Sequence, residues 1–182
     1  MANGDTQTLD ILQPGVVGAG AIGTSSFGAP RTYRRIENGV VITTIKFDIT
    51  GLACVGTAAN DVIGLAAGGA AYIGRYVKAL YGVVFKAEMS CIEAPGQGTA
   101  TITQDIDIAT NSSAALEYDG AASTGKLING ATLVEGQTVA NLVPAMTAND
   151  YLYLVEADTA GTTGVYNAGQ YILTIYGHAL LA

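Results

Sequence analysis

The chain has 182 residues, of which 49% are hydrophobic and 13% are charged, and its formal net charge is −7. Sequence-independent DNA binding depends on Lys and Arg side chains that neutralise phosphates, so this acidic balance argues against a nucleic-acid partner. The chain has one histidine, His178, close to its C-terminus, and no tryptophan. Because few groups can transfer protons or hold metals near neutral pH, we expect a non-enzymatic protein without a cofactor.

Membrane and export signals are not visible in the sequence. The N-terminus has no basic stretch followed by an apolar run, so no signal peptide is expected. No stretch of about 18 apolar residues is present, so no membrane-spanning segment is expected either. The sequence therefore predicts synthesis in the cytoplasm.

Residues 1–38 differ in composition from the rest of the chain. Prolines and scattered glycines interrupt this segment, and both residue types disfavour the interiors of helices and strands. We therefore predict an extended N-terminal arm over residues 1–38 and a β-sandwich domain over residues 39–182. The arm ends in a basic cluster that we predict to bind a partner: Arg31, Tyr33, Arg34 and Arg35.

The arm also contains a sequence that matches a nucleotide-binding motif. Residues 18–23 read Gly-Ala-Gly-Ala-Ile-Gly, which is G-x-G-x-x-G, and Glu37 follows nineteen residues after the first glycine. In a dinucleotide-binding fold this motif lies between a central strand and a helix. Here Pro14 comes shortly before the motif and Pro30 shortly after it, so neither element is predicted. We interpret the motif as part of a flexible arm.

The body of the chain carries strand patterns separated by glycine-rich turns. Between residues 40 and 50, Val41, Ile45, Phe47 and Ile49 alternate with polar residues, which predicts a strand with one face in water. Further strands are predicted over residues 75–93 with an interruption near Gly82, then over 99–108, 150–156 and 171–176. Residues 95–98 are predicted to form a turn. Residues 114–142 are ambiguous: short strands at 115–118 and 132–134 and a short helix after Gly136 all fit. Together these patterns predict an all-β fold, an antiparallel β-sandwich of which the jelly roll is one form.

Two cysteines, Cys54 and Cys91, leave two alternatives open. They would form a disulfide if neighbouring strands brought their Cα atoms within about 7 Å. Otherwise they are buried thiols. Their number and spacing do not match a metal-binding motif.

Acidic residues alternate on one predicted strand. Asp105 and Asp107 share a strand face, and Asp48 is a candidate third member. Carboxylates placed together can bind Ca²⁺ or act in acid–base catalysis. The more common arrangement is a row of acids on the solvated face of a strand, which is the interpretation we favour.

Tyrosine is the main aromatic residue, with 10 in the chain. Tyr151 and Tyr153 are predicted to project from the same side of a strand. Exposed tyrosines are common in protein interfaces and in sugar-binding sites. The alternative is that they pack in the core with their hydroxyls at its edge.

Two stretches resemble small virion proteins of tailed phages, especially marine ones. The first comprises residues 43–52, Thr-Thr-Ile-Lys-Phe-Asp-Ile-Thr-Gly-Leu, with residues 60–64, Asn-Asp-Val-Ile-Gly. The second comprises residues 149–154, Asn-Asp-Tyr-Leu-Tyr-Leu, with residues 166–177, and is similar to the C-terminal hairpin of those proteins. The resemblance covers about a third of the chain and implies no catalytic residues.

The resemblance implies a capsid decoration or cement protein on the exterior of a virion. The implied partner is the major capsid protein. A homo-oligomer is also expected, because the hydrophobic fraction is high for a soluble monomer, and a trimer is favoured. The alternative function is a host-surface or glycan-binding fibre or knob module that uses the tyrosines.

Overall fold

A computed structural model describes residues 30–55, 59–66, 70–97, 102, 104–120, 125–130, 132–142, 146–156 and 162–180. These residues form ten strands and one short helix, which confirms the predicted all-β class. In chain order the elements are β1 (Arg31–Glu37), β2 (Val40–Asp48), β3 (Ala53–Cys54), β4 (Tyr72–Arg75), α1 (Lys78–Tyr81), β5 (Val83–Gln97), β6 (Ile106–Asn111), β7 (Lys126–Ile128), β8 (Thr138–Leu142), β9 (Tyr151–Glu156) and β10 (Gly164–His178).

The strands form two antiparallel sheets. The larger sheet has the order β1-β2-β10-β5-β8, and β3 pairs with the first residues of β10. The smaller sheet has the order β4-β9-β6-β7. Every pairing between the named strands is antiparallel. The predicted antiparallel sandwich is therefore confirmed.

The alternation in β2 places its apolar residues in the core, as predicted. Ile45 and Phe47 are buried, whereas Lys46 between them is exposed. The two sheets come close at Gly74 of β4. A Cβ atom built there would lie 3.4 Å from Ile45 Cδ1 of the larger sheet and 3.8 Å from Leu152 Cδ1 of the smaller one. Each large aliphatic side chain buried between the sheets contributes about 2 kcal/mol through removal from water.

The end of the predicted arm differs from expectation. Residues 31–37 form strand β1, which pairs along its whole length with β2. The proposed boundary at residue 38 therefore falls in the turn of a hairpin. Asn38 and Gly39 form this two-residue turn with φ of 49° and 77°, and Asn-Gly is the preferred sequence where both turn residues need positive φ. Residues 1–29, including the G-x-G-x-x-G sequence, lie outside the described residues.

The interruption predicted near Gly82 is a helical turn. Residues 76–80 were expected to be extended, but Lys78–Tyr81 form α1. The hydroxyl of Tyr76 donates a hydrogen bond to the carbonyl of Gly82 at 2.8 Å, and the buried ring of Tyr81 packs edge-on against the Tyr76 ring. These tertiary contacts stabilise a turn that the β-rich sequence does not indicate.

The turn predicted at residues 95–98 is also wrong in part, because β5 continues to Gln97 with irregular register against β10.

The ambiguous segment contains strands at other positions than those considered. The strands are β7 (Lys126–Ile128) and β8 (Thr138–Leu142). Residues 115–118 and 132–134 are not strands, and β8 follows Gly136 in place of a helix. Short strands of this kind are defined by their neighbours: β8 pairs with β5, and β7 pairs with β6.

Candidate partner-binding surface

The predicted basic cluster lies on an edge strand. In the described part of the chain, β1 ends the larger sheet and pairs only with β2. Alternate residues of a strand point to opposite faces of the sheet. The cluster is therefore divided between the two faces of the sheet.

Three of the four predicted residues share the outer face of the larger sheet. Arg31, Tyr33 and Arg35 lie opposite Lys46, Thr44 and Ile42 of β2, respectively. Lys46 is exposed, and its neighbours Ile45 and Phe47 point into the core, which identifies this face as the outer one. Tyr33 is 40% exposed. The hairpin thus brings two guanidinium groups, an ammonium group and a tyrosine ring onto one surface.

Arg34 has a different environment from the other members of the cluster. It lies opposite Thr43, which is buried, and its Nη1 donates a hydrogen bond to the carbonyl of Leu80 at 3.1 Å. A hydrogen bond between a charged group and a partly buried carbonyl contributes about 1.5 kcal/mol or more to stability. Arg34 therefore links β1 to α1 on the inner side of the sheet.

A second group of side chains lies on the same outer face, across β10 and β5. We call it the outer-face cluster; its members are Phe85, Lys86, Glu88, Tyr176 and His178. The Tyr176 hydroxyl donates to Glu88 Oε2 at 2.8 Å, and Lys86 Nζ lies 2.5 Å from Glu88 Oε1. Lys86 Nζ is also 5.1 Å from the centre of the Tyr176 ring. The rings of Phe85 and His178 are stacked with centroids 4.5 Å apart.

The hydrogen bonds of the outer-face cluster affect the ionisation of its members. The hydrogen bond from Lys86, followed by that from Tyr176, holds the pKa of Glu88 below its usual value. Burial raises the pKa of the Tyr176 hydroxyl, the hydrogen bond to Glu88 raises it further, and Arg35 acts in the opposite direction. Glu88 is thus an ionised acceptor at neutral pH, and Tyr176 is a neutral donor.

The basic edge and the outer-face cluster belong to one surface. Arg35 lies opposite Ile42, Ile42 lies opposite Tyr176, and Tyr176 lies opposite Lys86, in a row that crosses the five strands of the larger sheet from β1 to β8. The row ends at Leu142 of β8, which is 70% exposed. Cations, aromatic rings and exposed apolar groups in one row are the side chains through which proteins bind partners by ion pairing, stacking and apolar contact.

The sequence prediction missed the outer-face cluster. A local signal for it exists, because Lys86, Glu88 and Ser90 alternate with apolar residues in the predicted second strand block. The cluster is completed by residues of β10, and Tyr176 on that strand lies 88 residues after Glu88 in the chain. Sequence alternation alone does not say which two strands are neighbours.

The expected solvated row of acids is wrong for Asp107. Asp107 is 1% exposed and pairs with Lys126, while Asp105 lies just before β6. Asp48 lies on β2 in the other sheet, where its Oδ1 accepts the Thr50 N–H at 2.8 Å. Among the described residues, no group of three or more His, Cys, Asp or Glu side chains is placed to hold a metal ion.

Most of the tyrosines pack in the core. Tyr151 and Tyr153 lie on the same side of β9, as predicted, and both rings contact Tyr72, at 4.9 and 6.3 Å between centroids. Burial raises the pKa of Tyr153 to about 12. Six of the ten are buried: Tyr72, Tyr76, Tyr81, Tyr153, Tyr166 and Tyr171. Of the other four, Tyr33 is exposed, and Tyr118, Tyr151 and Tyr176 are half-buried.

The two cysteines are buried thiols, which was one of the two alternatives. Cys54 lies on β3 and Cys91 on β5, and no disulfide joins them. Burial raises the pKa of the Cys91 thiol. Buried, protonated thiols are chemically unreactive.

No protein-family model, curated protein or solved structure matches the chain. Among the described residues, no helix combines the length and the apolar composition required to cross a membrane.

Proposed function

We propose that the chain is a non-enzymatic structural protein of a virion, which binds the exterior of the capsid lattice as a decoration or cement protein. The proposed partner is the major capsid protein, and binding follows synthesis in the host cytoplasm. The observation that supports this function is the basic, partly aromatic outer face of β1, with Arg31, Tyr33 and Arg35 on a chain that is acidic overall.

This surface has the chemistry of a docking site for an acidic protein face. Arg forms bidentate hydrogen bonds with carboxylates, and tyrosine adds contact area at low entropic cost. The Arg35 guanidinium forms an ion pair with Glu37 at 2.9 Å, with both side chains about half exposed. Such an exposed pair contributes little by itself, so Arg35 can exchange Glu37 for a partner carboxylate at small cost.

The test measures binding of the purified chain to undecorated capsids by co-sedimentation. The double variant Arg31→Glu/Arg35→Glu should bind at least about tenfold more weakly, because each reversed charge opposes an acidic partner. Raising the salt concentration should also weaken binding by the native chain. The matched control is Lys78→Glu, a charge reversal at the exposed first residue of α1, which lies outside β1 and outside the outer-face cluster. Unchanged binding by the double variant, or absence of the chain from purified particles, would disprove the proposal.

A glycan-binding or host-surface function is the second candidate, and the outer-face cluster favours it. Sugar sites combine an aromatic face with a fixed acceptor, and Tyr176 with Glu88 provides both. The test is a glycan array with native protein and with the Tyr176→Phe and Glu88→Gln variants. Binding of a sugar that both variants abolish, together with normal capsid binding by Arg31→Glu/Arg35→Glu, would favour this function over decoration.

A further inference from the structure

One edge of β1, which we call the open edge, has no neighbour among the described strands, and its hydrogen-bonding pattern is defined. In a hairpin with a two-residue turn, the residues that flank the turn exchange both backbone hydrogen bonds, and the pattern then alternates. Glu37 and Val40 flank the Asn38-Gly39 turn. The backbone groups of residues 37, 35, 33 and 31 therefore point to β2. Those of Thr32, Arg34 and Ile36 point away from it, toward the open edge.

The sequence of β1 is complementary to itself when two copies run antiparallel. A two-fold axis at Arg34 places residue 31 of one copy opposite residue 37 of the other, and residue 33 opposite residue 35. On the outer face this register pairs Arg31 with the second copy's Glu37 and Tyr33 with its Arg35. On the inner face it pairs Thr32 with Ile36, and Arg34 lies opposite its own copy. In this register the three residues whose backbone groups point to the open edge, Thr32, Arg34 and Ile36, lie opposite the same three residues of the second copy. Their backbone N–H and C=O groups can therefore form hydrogen bonds between the two strands.

We propose that β1 pairs with β1 of a second copy of this chain, in the antiparallel register centred on Arg34. The contact forms a symmetric dimer in which the larger sheets of two molecules become one continuous sheet. A two-fold contact of this type is closed and uses the same surface on both molecules.

Charge and exposure favour a second copy over other occupants of this edge. Charged edge strands commonly prevent edge-to-edge pairing, and three arginines alone would repel an identical strand. Glu37 offsets this, because the two-fold register places an Arg31–Glu37 pair at each end of the ladder and a Tyr33–Arg35 contact on each side of the axis. The remaining like-charged pair is Arg34 with its own copy at the axis, where each guanidinium is hydrogen-bonded to the Leu80 carbonyl of its own chain. Opposite charges directly across neighbouring strands are stabilising. The contact also covers Ile36, which is 42% exposed, and Tyr33, which is 40% exposed.

The biological role of the dimer rests on the proposed function, to which it adds a second lattice contact. Two outer faces side by side would bind a lattice through two linked contacts, which increases the effective affinity. A trimer is the oligomer that we expected at the level of the sequence, whereas edge pairing gives a dimer. Self-association is measured on the purified chain without capsids. The variant Glu37→Arg should weaken the dimer while it retains Arg31 and Arg35, so capsid binding by this variant separates failure of the dimer from failure of the proposed function.

Charge reversal tests the pairing of residues 31 and 37. The native chain should sediment with twice the chain mass at high concentration. Arg31→Glu and Glu37→Arg should each raise the dimer dissociation constant by at least about tenfold, because each reversal changes two symmetric contacts. The double variant Arg31→Glu/Glu37→Arg restores opposite charges and should recover most of the affinity. Lys78→Glu, with the same charge change outside β1, should dimerise like the native chain.

Single cysteines test the register. Residue 34 faces its own copy across the axis, at the Cα separation of about 5.5 Å expected for a hydrogen-bonded pair, which a disulfide can span. Arg34→Cys should therefore form a covalent dimer under mild oxidation. Thr32→Cys should not, because four residues, or about 14 Å, separate it from its own copy. Circular dichroism of each variant checks that the fold is retained.

Three results would overturn the inference. The first is a native chain that remains monomeric, or forms a trimer, at the highest concentration measured. The second is a dimer that both single charge reversals leave unchanged. The third is equal cross-linking of folded Arg34→Cys and Thr32→Cys.

Discussion

Lys126 Nζ lies 2.5 Å from Asp107 Oδ2, and the two side chains are 8% and 1% exposed. The other carboxylate oxygen, Oδ1, accepts the Gly130 N–H at 2.7 Å. Asn141 of β8 donates to the carbonyl of Leu127 at 3.0 Å, which connects β7 of the smaller sheet to the larger sheet. The ion pair therefore lies beside a point where the two sheets are hydrogen-bonded to each other.

Removal of either charge of this pair should destabilise the protein strongly. Asp107→Ala leaves the buried Lys126 ammonium group without its carboxylate, and Lys126→Met leaves the buried Asp107 carboxylate without its ammonium group. Each should lower the free energy of unfolding by about 3 kcal/mol, measured by urea denaturation. The double variant Asp107→Leu/Lys126→Met should lose much less than the sum of the two single losses. A double variant at or above that sum would show that the two side chains are not coupled.

Gly177 and Gly39 should differ in their tolerance of alanine. A Cβ atom at Gly177 would lie 2.0 Å from the Tyr81 carbonyl oxygen, whereas a Cβ atom at Gly39 would meet no atom within 4 Å. Gly177→Ala should therefore lower the stability by about 3 kcal/mol through overpacking against backbone. Gly39→Ala should cost about 1 kcal/mol, because φ at that position is positive. Thermal or urea unfolding compares the two. Equal losses would contradict the close approach of β10 to Tyr81.

The buried tyrosines should make the fold sensitive to alkali. Burial raises the pKa of Tyr81 and of Tyr153 from 10.0 to about 12 in the native state. The native state then binds these protons more tightly than the unfolded state does. The contribution of these two tyrosines to the free energy of unfolding is therefore fully present below pH 10 and is lost as the pH rises from 10 to about 12.

Tyrosinate absorbance and circular dichroism, recorded together during an alkaline titration, measure this effect. The most buried tyrosines should ionise only as the β signal is lost. Tyr81→Phe should lose less stability between pH 10 and 12 than the native chain does. Ionisation of all ten tyrosines near pH 10 with the fold intact would be inconsistent with the structure.

Glu88 should contribute a small stability term that disappears in acid. Its hydrogen bonds from Lys86 and Tyr176 lower its pKa from 4.5 in the native state. The contribution is therefore present above pH 4.5 and is lost as the pH falls through the lower native value. Because the side chains of Lys86 and Glu88 are partly exposed, we expect this contribution to the free energy of unfolding to be below about 1 kcal/mol. Urea unfolding at neutral and at acidic pH should show that the free energy of unfolding depends less on pH for Glu88→Gln than for the native chain. An identical pH dependence for the two proteins would contradict a stabilising role of Glu88.

The thiols of Cys54 and Cys91 should be protected in the native state. Both are fully buried and on strands, and burial raises the pKa of Cys91. A thiol reagent should modify neither until denaturant is added, after which both should react. Rapid modification of the native protein would show that the strands open readily, and the single variants Cys54→Ala and Cys91→Ala would identify which strand does so.

Local pattern was sufficient for part of the candidate site. Period-two alternation predicted β2, and a strand was also predicted at the position of β9. The Asn38-Gly39 pair, directly before the β-branched run of β2, carries the signal for the hairpin that places Arg31, Tyr33 and Arg35 on one face. The density of Pro and Gly before residue 31 obscured that signal, so the segment was assigned to an arm. The acidic residue at 107 was predicted to be solvated, because its partner, Lys126, is 19 residues away on a strand that the sequence left ambiguous.

The sequence by itself determined the all-β class, the alternation of its clearest strands and the basic character of residues 31–35. These properties depend on local backbone preference and on side-chain chemistry, which neighbouring residues largely specify. Only the tertiary structure decided that β1 is an edge among the described strands, that Arg34 turns inward, that Tyr176 meets Glu88 and that most tyrosines are buried. Exposure and strand order depend on contacts between residues far apart in the chain, and local periodicity carries no information about which strands become neighbours.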